Sequence, residues 1–174
     1  MAAHRSHPAA PLLLTGFDPF GGSALNPSIL AARALHGQHV ADHPVVSAQL
    51  PTAFGEAQVR LQALLAQHRP ALVLCLGQAG GRGMLSVERV AINLVDARIP
   101  DNRGAQPVDA PVVPGGPAAY FATLPVKALH RAAQRAGLPC EVSQTAGTFV
   151  CNAVFYGLMH QLATGAAPSW RAAS

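Results

Sequence analysis

At 174 residues the chain is long enough for one substantial core and short for two, so a single domain is expected. Half of the residues are hydrophobic and 11% are charged, and no apolar run is long enough to span a bilayer; ALVLCLG at 71–77 is only strand-length. The net charge of +4 reflects scarce acid as much as surplus base: eleven of the twelve basic residues are arginine, scattered singly without aromatic interleaving, which argues against a nucleic-acid partner.

The start, MAAHRSHPAAP, lacks the apolar core of a signal peptide and reads as a flexible extension over residues 1–11, ahead of one domain over 12–174. Pro11 to Thr15 predicts a buried strand running into the turn GFDPFGG. Asn26 and Pro27 then cap and open a helix through Leu35. Val45–Leu50 is the next strand. Phe54 to His68, apolar at Phe54, Val59, Leu61, Leu64 and Leu65, predicts a helix ended by Pro70. Leu72–Leu76 is a central strand that enters the glycine turn GQAGGRG. VERVAINL reads as one alternating strand from Val87 to Leu94, followed by a long irregular stretch from Arg98 to Gly116. A short helix is expected over Pro117–Thr123 and a longer one over Pro125–Ala136, capped by Gly137. Cys140–Thr145 is a strand that feeds a helix carrying Cys151 and ending near Leu162. No strand or helix is expected after it. Alternation of this kind predicts an α/β fold: a three-layer α/β/α sandwich around a mostly parallel, twisted sheet.

Three cysteines, Cys75, Cys140 and Cys151, form neither a CxxC pair nor a zinc spacing with histidine. A reducing cytoplasm fits that usage. The eight histidines are dispersed, so no metal site is expected. Cys151 is the candidate nucleophile, because the first turn of a helix offers unpaired N–H groups and the positive end of its dipole, which favour a thiolate. Ala146, Gly147 and Thr148 keep the preceding turn thin, so a substrate carbonyl could approach and take an oxyanion hydrogen bond from the Cys151 N–H. A buried, inert helix cysteine is the alternative. Ligands in such folds collect beyond the carboxyl ends of strands, where the turns Thr15–Gly22, Gly77–Gly83 and Ala146–Thr148 all fall. GQAGGRG matches neither common phosphate-loop order and reads better as the lining of a small-molecule pocket.

Five segments, LLLTGFDPFGGSALNPS, LGQAGGRGMLSVERVAINLVDARIPDN, GAQPVD, GGPAAYFATLPVKAL and SQTAGTFVCNAVFYGLMH, together resemble pyroglutamyl-peptidase I, or pyrrolidone-carboxylate peptidase, from Leu12 to about Met159. The resemblance implies a cytoplasmic cysteine peptidase that removes N-terminal pyroglutamate from peptides, needs no metal or organic cofactor, and often assembles as a homo-oligomer; the scattered charge and short apolar runs add the expectation of no nucleic-acid and no membrane partner. It assigns the nucleophile to Cys151 and the catalytic glutamate to Glu88, one of only three glutamates. The residues alone leave Glu88 open to a structural ion pair with Arg89 or Arg98. Phe17 and Phe20 match the aromatics that hold the pyrrolidone ring, Gln78 and the backbone at Val150 are its lactam partners, and Arg98 resembles the arginine near the oxyanion.

The family's histidine lies in a segment resembling GFIHVP, soon after an arginine that matches Arg171, where this chain reads RAAS. His160 stands nine residues along the Cys151 helix, roughly 13 Å up its axis, too far to serve the thiol. The expectation is therefore a C-terminally truncated family member, lacking a final strand and helix and impaired as a peptidase. The alternative is a non-catalytic homologue that binds pyroglutamyl termini or serves in assembly.

Overall fold

The computed structural model describes residues 9–165 and the backbone of 171–173, so most of the expected N-terminal extension lies outside the described residues. β1 (Leu12–Phe17) is the middle of a five-stranded sheet. It pairs in parallel with β3 (His43–Leu50) on one side and β4 (Leu72–Cys75) on the other. Such a strand is covered on both faces, which is why LLLTGF is apolar at every position but the buried Thr15 rather than alternating. A two-residue β2 (His39–Val40) closes the β3 edge as an antiparallel hairpin.

Side chains leave β1 alternately to opposite faces. Leu14 meets Ile29 and Ala32 of α1 (Pro27–Ala34), whose N-terminus is capped by the Asn26 side chain accepting from the Ser28 N–H at 3.0 Å. A Cβ at Gly16 would run into the α1 backbone at Ser28–Ile29, so the glycine sets the close helix–strand approach. Leu13 and Phe17 face the other way, into a core shared with Leu61, Leu64 and Leu65 of α2 (Glu56–His68) and Val150, Val154 and Leu158 of α4 (Val150–Ala163). Ala57 completes the buried α2 stripe; Val59, expected in it, is 67% exposed.

Three expected elements are corrected. VERVAINL is not one strand but two: β5 (Leu85–Glu88) pairs in parallel with β8 (Cys140–Ser143), while β6 (Val90–Ile92) turns away to pair antiparallel with β7 (Ala119–Phe121). Pro117–Thr123 is therefore not helical, since its centre supplies β7 and the backbone partners of β6. A strand does follow α4: β9 (Arg171–Ala173) lies beside β4, parallel and in register from Leu72↔Arg171. The remaining helix, α3 (Val126–Arg135), is as expected and ends before Gly137, whose φ of 73° terminates it. The irregular 98–116 stretch is held by the buried Asp101 carboxylate, which accepts from the N–H groups of Phe54, Arg103 and Ala105 at 2.8–2.9 Å.

Candidate active site

Cys151 is the second residue of α4. The residue before the helix, Phe149, offers no side-chain cap, which leaves first-turn N–H groups facing the site free for a ligand. Two devices fix this helix start. Thr148 Oγ1 donates to the Asp96 carbonyl at 2.8 Å, holding the turn. Asn152, wholly buried beside the cysteine, donates to the carbonyls of Ile92 and Leu94 and accepts the Ile92 N–H, all within 3.0 Å, tying α4 to β6.

The thiol lies against the turn that follows β4. A Cβ placed on Gly77 would stand 2.9 Å from Cys151 Sγ, so only glycine leaves the sulfur its room. Surroundings this close reverse the acidity expected from the helix dipole: burial, then the neighbouring Cys75 and Glu88, push the Cys151 thiol up to about 12. Burial likewise pushes Cys75 up to about 11. At rest, Cys151 is a protonated thiol.

Glu88, at the end of β5, is paired with neither Arg89 nor Arg98. Its partner is Arg82 of the glycine turn, whose Nη1 donates to Oε1 at 2.9 Å. Burial raises the Glu88 carboxyl above its ordinary range, outweighing the Ser143 hydroxyl and the Arg82 guanidinium. The second carboxylate oxygen, Oε2, is buried without a hydrogen-bond partner, and so is Oε1 of Gln78 in the glycine turn. Buried acceptors of this kind are costly unless something else fills them.

The two phenylalanines of the first turn part company. Phe17 is the last residue of β1 and sits in the core at 3% exposure, whereas Phe20 is half-buried. The Phe20 ring lies 6.0 Å from that of Phe149, which meets Phe54 edge-on at 5.3 Å. Phe149, the residue two before the thiol, is the contributor that sequence reading missed; its position directly before the helix was the available signal. The Val150 side chain is buried, leaving its backbone to face the site. Arg98 is exposed and takes part in none of the described ion pairs. His160 is bonded to Tyr120 Oη at 2.9 Å and His130 to the Cys140 carbonyl at 3.0 Å, so neither serves the thiol. Two surface hollows, of about 630 and 550 Å³, are lined by neither Cys151 nor Glu88.

Among the described residues no helix is long and apolar enough to cross a membrane, and no three His, Cys, Asp or Glu side chains group as metal ligands. Residues 10–172 match the family model described as pyroglutamyl peptidase. The pyrrolidone-carboxylate peptidase of Cupriavidus necator is 61% identical over 151 residues, 87% of this chain and 70% of the relative. That of Bacillus cytotoxicus is 53% identical over 152 residues, 87% of this chain and 71% of the relative. The crystal structure of pyroglutamyl peptidase I from Bacillus amyloliquefaciens superposes with a TM-score of 0.90 at 47% identity, covering 94% of this chain and 79% of that one. A mutant pyrrolidone carboxyl peptidase from Pyrococcus furiosus gives 0.89 at 40% identity, over 94% and 78%. Similarity that runs from β1 through the Glu88 strand to the Cys151 helix is common descent of the domain rather than of one motif, and the chain belongs to the pyroglutamyl peptidase family.

Proposed function

We propose that this chain is a cysteine peptidase acting on peptides with N-terminal pyroglutamate, by attack of Cys151 on the pyroglutamyl carbonyl, an acyl-enzyme, and hydrolysis by water. The observation that carries it is the orphaned Oε1 of Gln78, a buried neutral acceptor in the turn that touches the thiol. A lactam N–H would satisfy it, with the ring against Phe20 and Phe149 and the wall completed by Phe17. A free amino terminus would instead bring a desolvated ammonium against aromatic faces and a neutral amide oxygen, so cyclised termini are selected. The N–H groups of Val150 and Cys151 would bind the lactam and the developing oxyanion, with Arg98 closing from the exposed loop.

Deprotonation is the demanding step. A thiol at about 12 is ionised to roughly one part in ten thousand near pH 8, so a base must take its proton as it attacks. The carboxylate of Glu88 would orient that base through its free Oε2. None of the described histidines is hydrogen-bonded to Cys151, which favours a second reading: a homologue that binds pyroglutamyl termini without turning them over. Cytoplasmic residence and homo-oligomeric assembly belong to the proposal and rest on family membership.

Release of a fluorescent amine from a pyroglutamyl amide tests both readings, with Cys151→Ala as control and thermal stabilisation by pyroglutamate measured in parallel. Turnover abolished by Cys151→Ala establishes the peptidase; stabilisation without turnover, retained in Cys151→Ala, establishes the binder. Turnover that survives the substitution, or neither signal from a folded chain, overturns the assignment.

A further inference from the structure

We infer that Arg82 is a positioning residue of this site: its guanidinium clasps the Glu88 carboxylate and the chain entering the Cys151 turn, fixing them relative to the glycine turn that carries Gln78. The inference rests on the peptidase reading above and goes beyond it. Two segments, the nearby end of β5 and the distant 143–145 stretch that leaves β8, converge on this one side chain. Nη1 donates to Glu88 Oε1 at 2.9 Å and to Ser143 Oγ at 3.3 Å, while Nη2 donates to the Thr145 carbonyl at 3.2 Å. Glu88 ends β5 and Ser143 ends β8, in register with each other. Thr145 lies in the link from β8 to α4, and Arg82 itself stands five residues after Gly77, whose backbone abuts Cys151 Sγ.

The fork decides which carboxylate oxygen works. With Oε1 engaged by Arg82, Oε2 is left as the acceptor without a partner, so the carboxylate presents a single free oxygen. A planar guanidinium makes the two arms from two nitrogens held in a fixed fork; an ammonium has all its donors on one nitrogen and no such fork. The charges facing Glu88 are Arg82 from the glycine turn and Glu141 from β8, with the Ser143 hydroxyl beside it and the Cys151 thiol on α4. Arg82 is the cation among them. It favours the ionised form of Glu88, opposing a burial that raises the carboxyl overall, and sets a positive charge beside the negative one that Glu88 presents to the thiol.

With only three glutamates in the chain, the carboxyl carbons of a ¹³C-glutamate-labelled protein can be titrated individually by NMR, Glu88 being assigned by its loss in Glu88→Gln. Arg82→Ala is expected to move the Glu88 titration to higher pH and to lower kcat/KM on the pyroglutamyl amide about ten- to a hundredfold, the loss of one charge-assisted hydrogen bond, with the fall in kcat and the acid limb of the rate profile shifted with Glu88. Arg82→Lys keeps the charge, so it is expected to return the titration towards that of the parent protein while recovering only part of kcat. A Glu88 titration unmoved in folded Arg82→Ala, or moved without loss of kcat, overturns the inference. Should Arg82→Ala fail to fold, Arg82→Lys with unimpaired kcat overturns it equally. An inactive parent chain would remove the peptidase reading alone, and an unmoved or displaced Glu88 resonance would still decide whether the clasp exists.

Discussion

Replacing Gly77 by alanine is the sharpest test of how tightly the thiol is held. The φ of Gly77 lies outside the left-handed region, so alanine is compatible with the backbone there and the substitution probes contact alone. Its new methyl would stand 2.9 Å from Cys151 Sγ and 3.7 Å from Cys151 Cβ. Non-bonded carbon neighbours rest at about 3.5–4.0 Å, so the sulfur must retreat by roughly 1 Å, and its only freedom is rotation about one bond. A displacement of that size at a reacting atom costs about a hundredfold in rate. We therefore expect Gly77→Ala to keep the fold, by thermal melt and circular dichroism, while kcat/KM on a pyroglutamyl amide falls about a hundredfold. Alkylation of Cys151 by iodoacetamide, read on its own peptide by mass spectrometry so that Cys75 and Cys140 do not interfere, should slow in parallel. Alkylation and turnover both within threefold of the parent would refute the tight contact.

Gln78→Leu removes the orphaned acceptor at little change of volume, and we expect KM for the pyroglutamyl amide to rise about ten- to a hundredfold with discrimination against the prolyl amide reduced; unchanged discrimination would remove Gln78 from the pocket. Asn152→Ala strands two backbone carbonyls and one N–H in the interior, so urea unfolding should show a loss of about 3 kcal/mol or more; a loss below 1 kcal/mol would show that water replaces the amide. Alkaline pH should weaken the fold. The folded-state values of Cys75 and Cys151, about 11 and about 12, lie above the ordinary thiol value of 9.0, so their contribution is fully present below pH 9 and is lost as pH rises towards them. Stability between pH 9 and 11 should then fall by up to about 1.4 kcal/mol per pH unit for each thiol, and Cys75→Ala should flatten the slope; equal slopes in the two proteins would contradict the burial of Cys75.

What was legible in the sequence was local. The Asn26–Pro27 start of α1, the end of α2 before Pro70 and the placement of Cys151 in the first turn of α4 each depend on neighbours within a few positions, and each stands in the structure. What was not legible depended on partners far along the chain. VERVAINL alternates throughout, yet Glu88 is opposite Ser143 whereas Val90 is opposite Phe121, and no local pattern reveals that Arg89 separates two sheets. GPAAYFATL has no period of its own, so its strand exists only because β6 lies beside it.

The site follows the same division, with a consequence for how its chemistry should be read. The helix dipole, a local term visible in sequence, favours a thiolate at Cys151; burial against Gly77, Cys75 and Glu88, visible only in three dimensions, opposes it and prevails. Burial that holds the thiol protonated also excludes the water that would compete for the orphaned oxygens of Gln78 and Glu88. The two effects are one design constraint: a niche dry enough to reward a lactam N–H is too dry for a spontaneous thiolate. In the proposed mechanism attack is therefore coupled to proton transfer, and Glu88, held by an arginine six residues before it rather than by either arginine the sequence suggested, is the group proposed to organise that transfer.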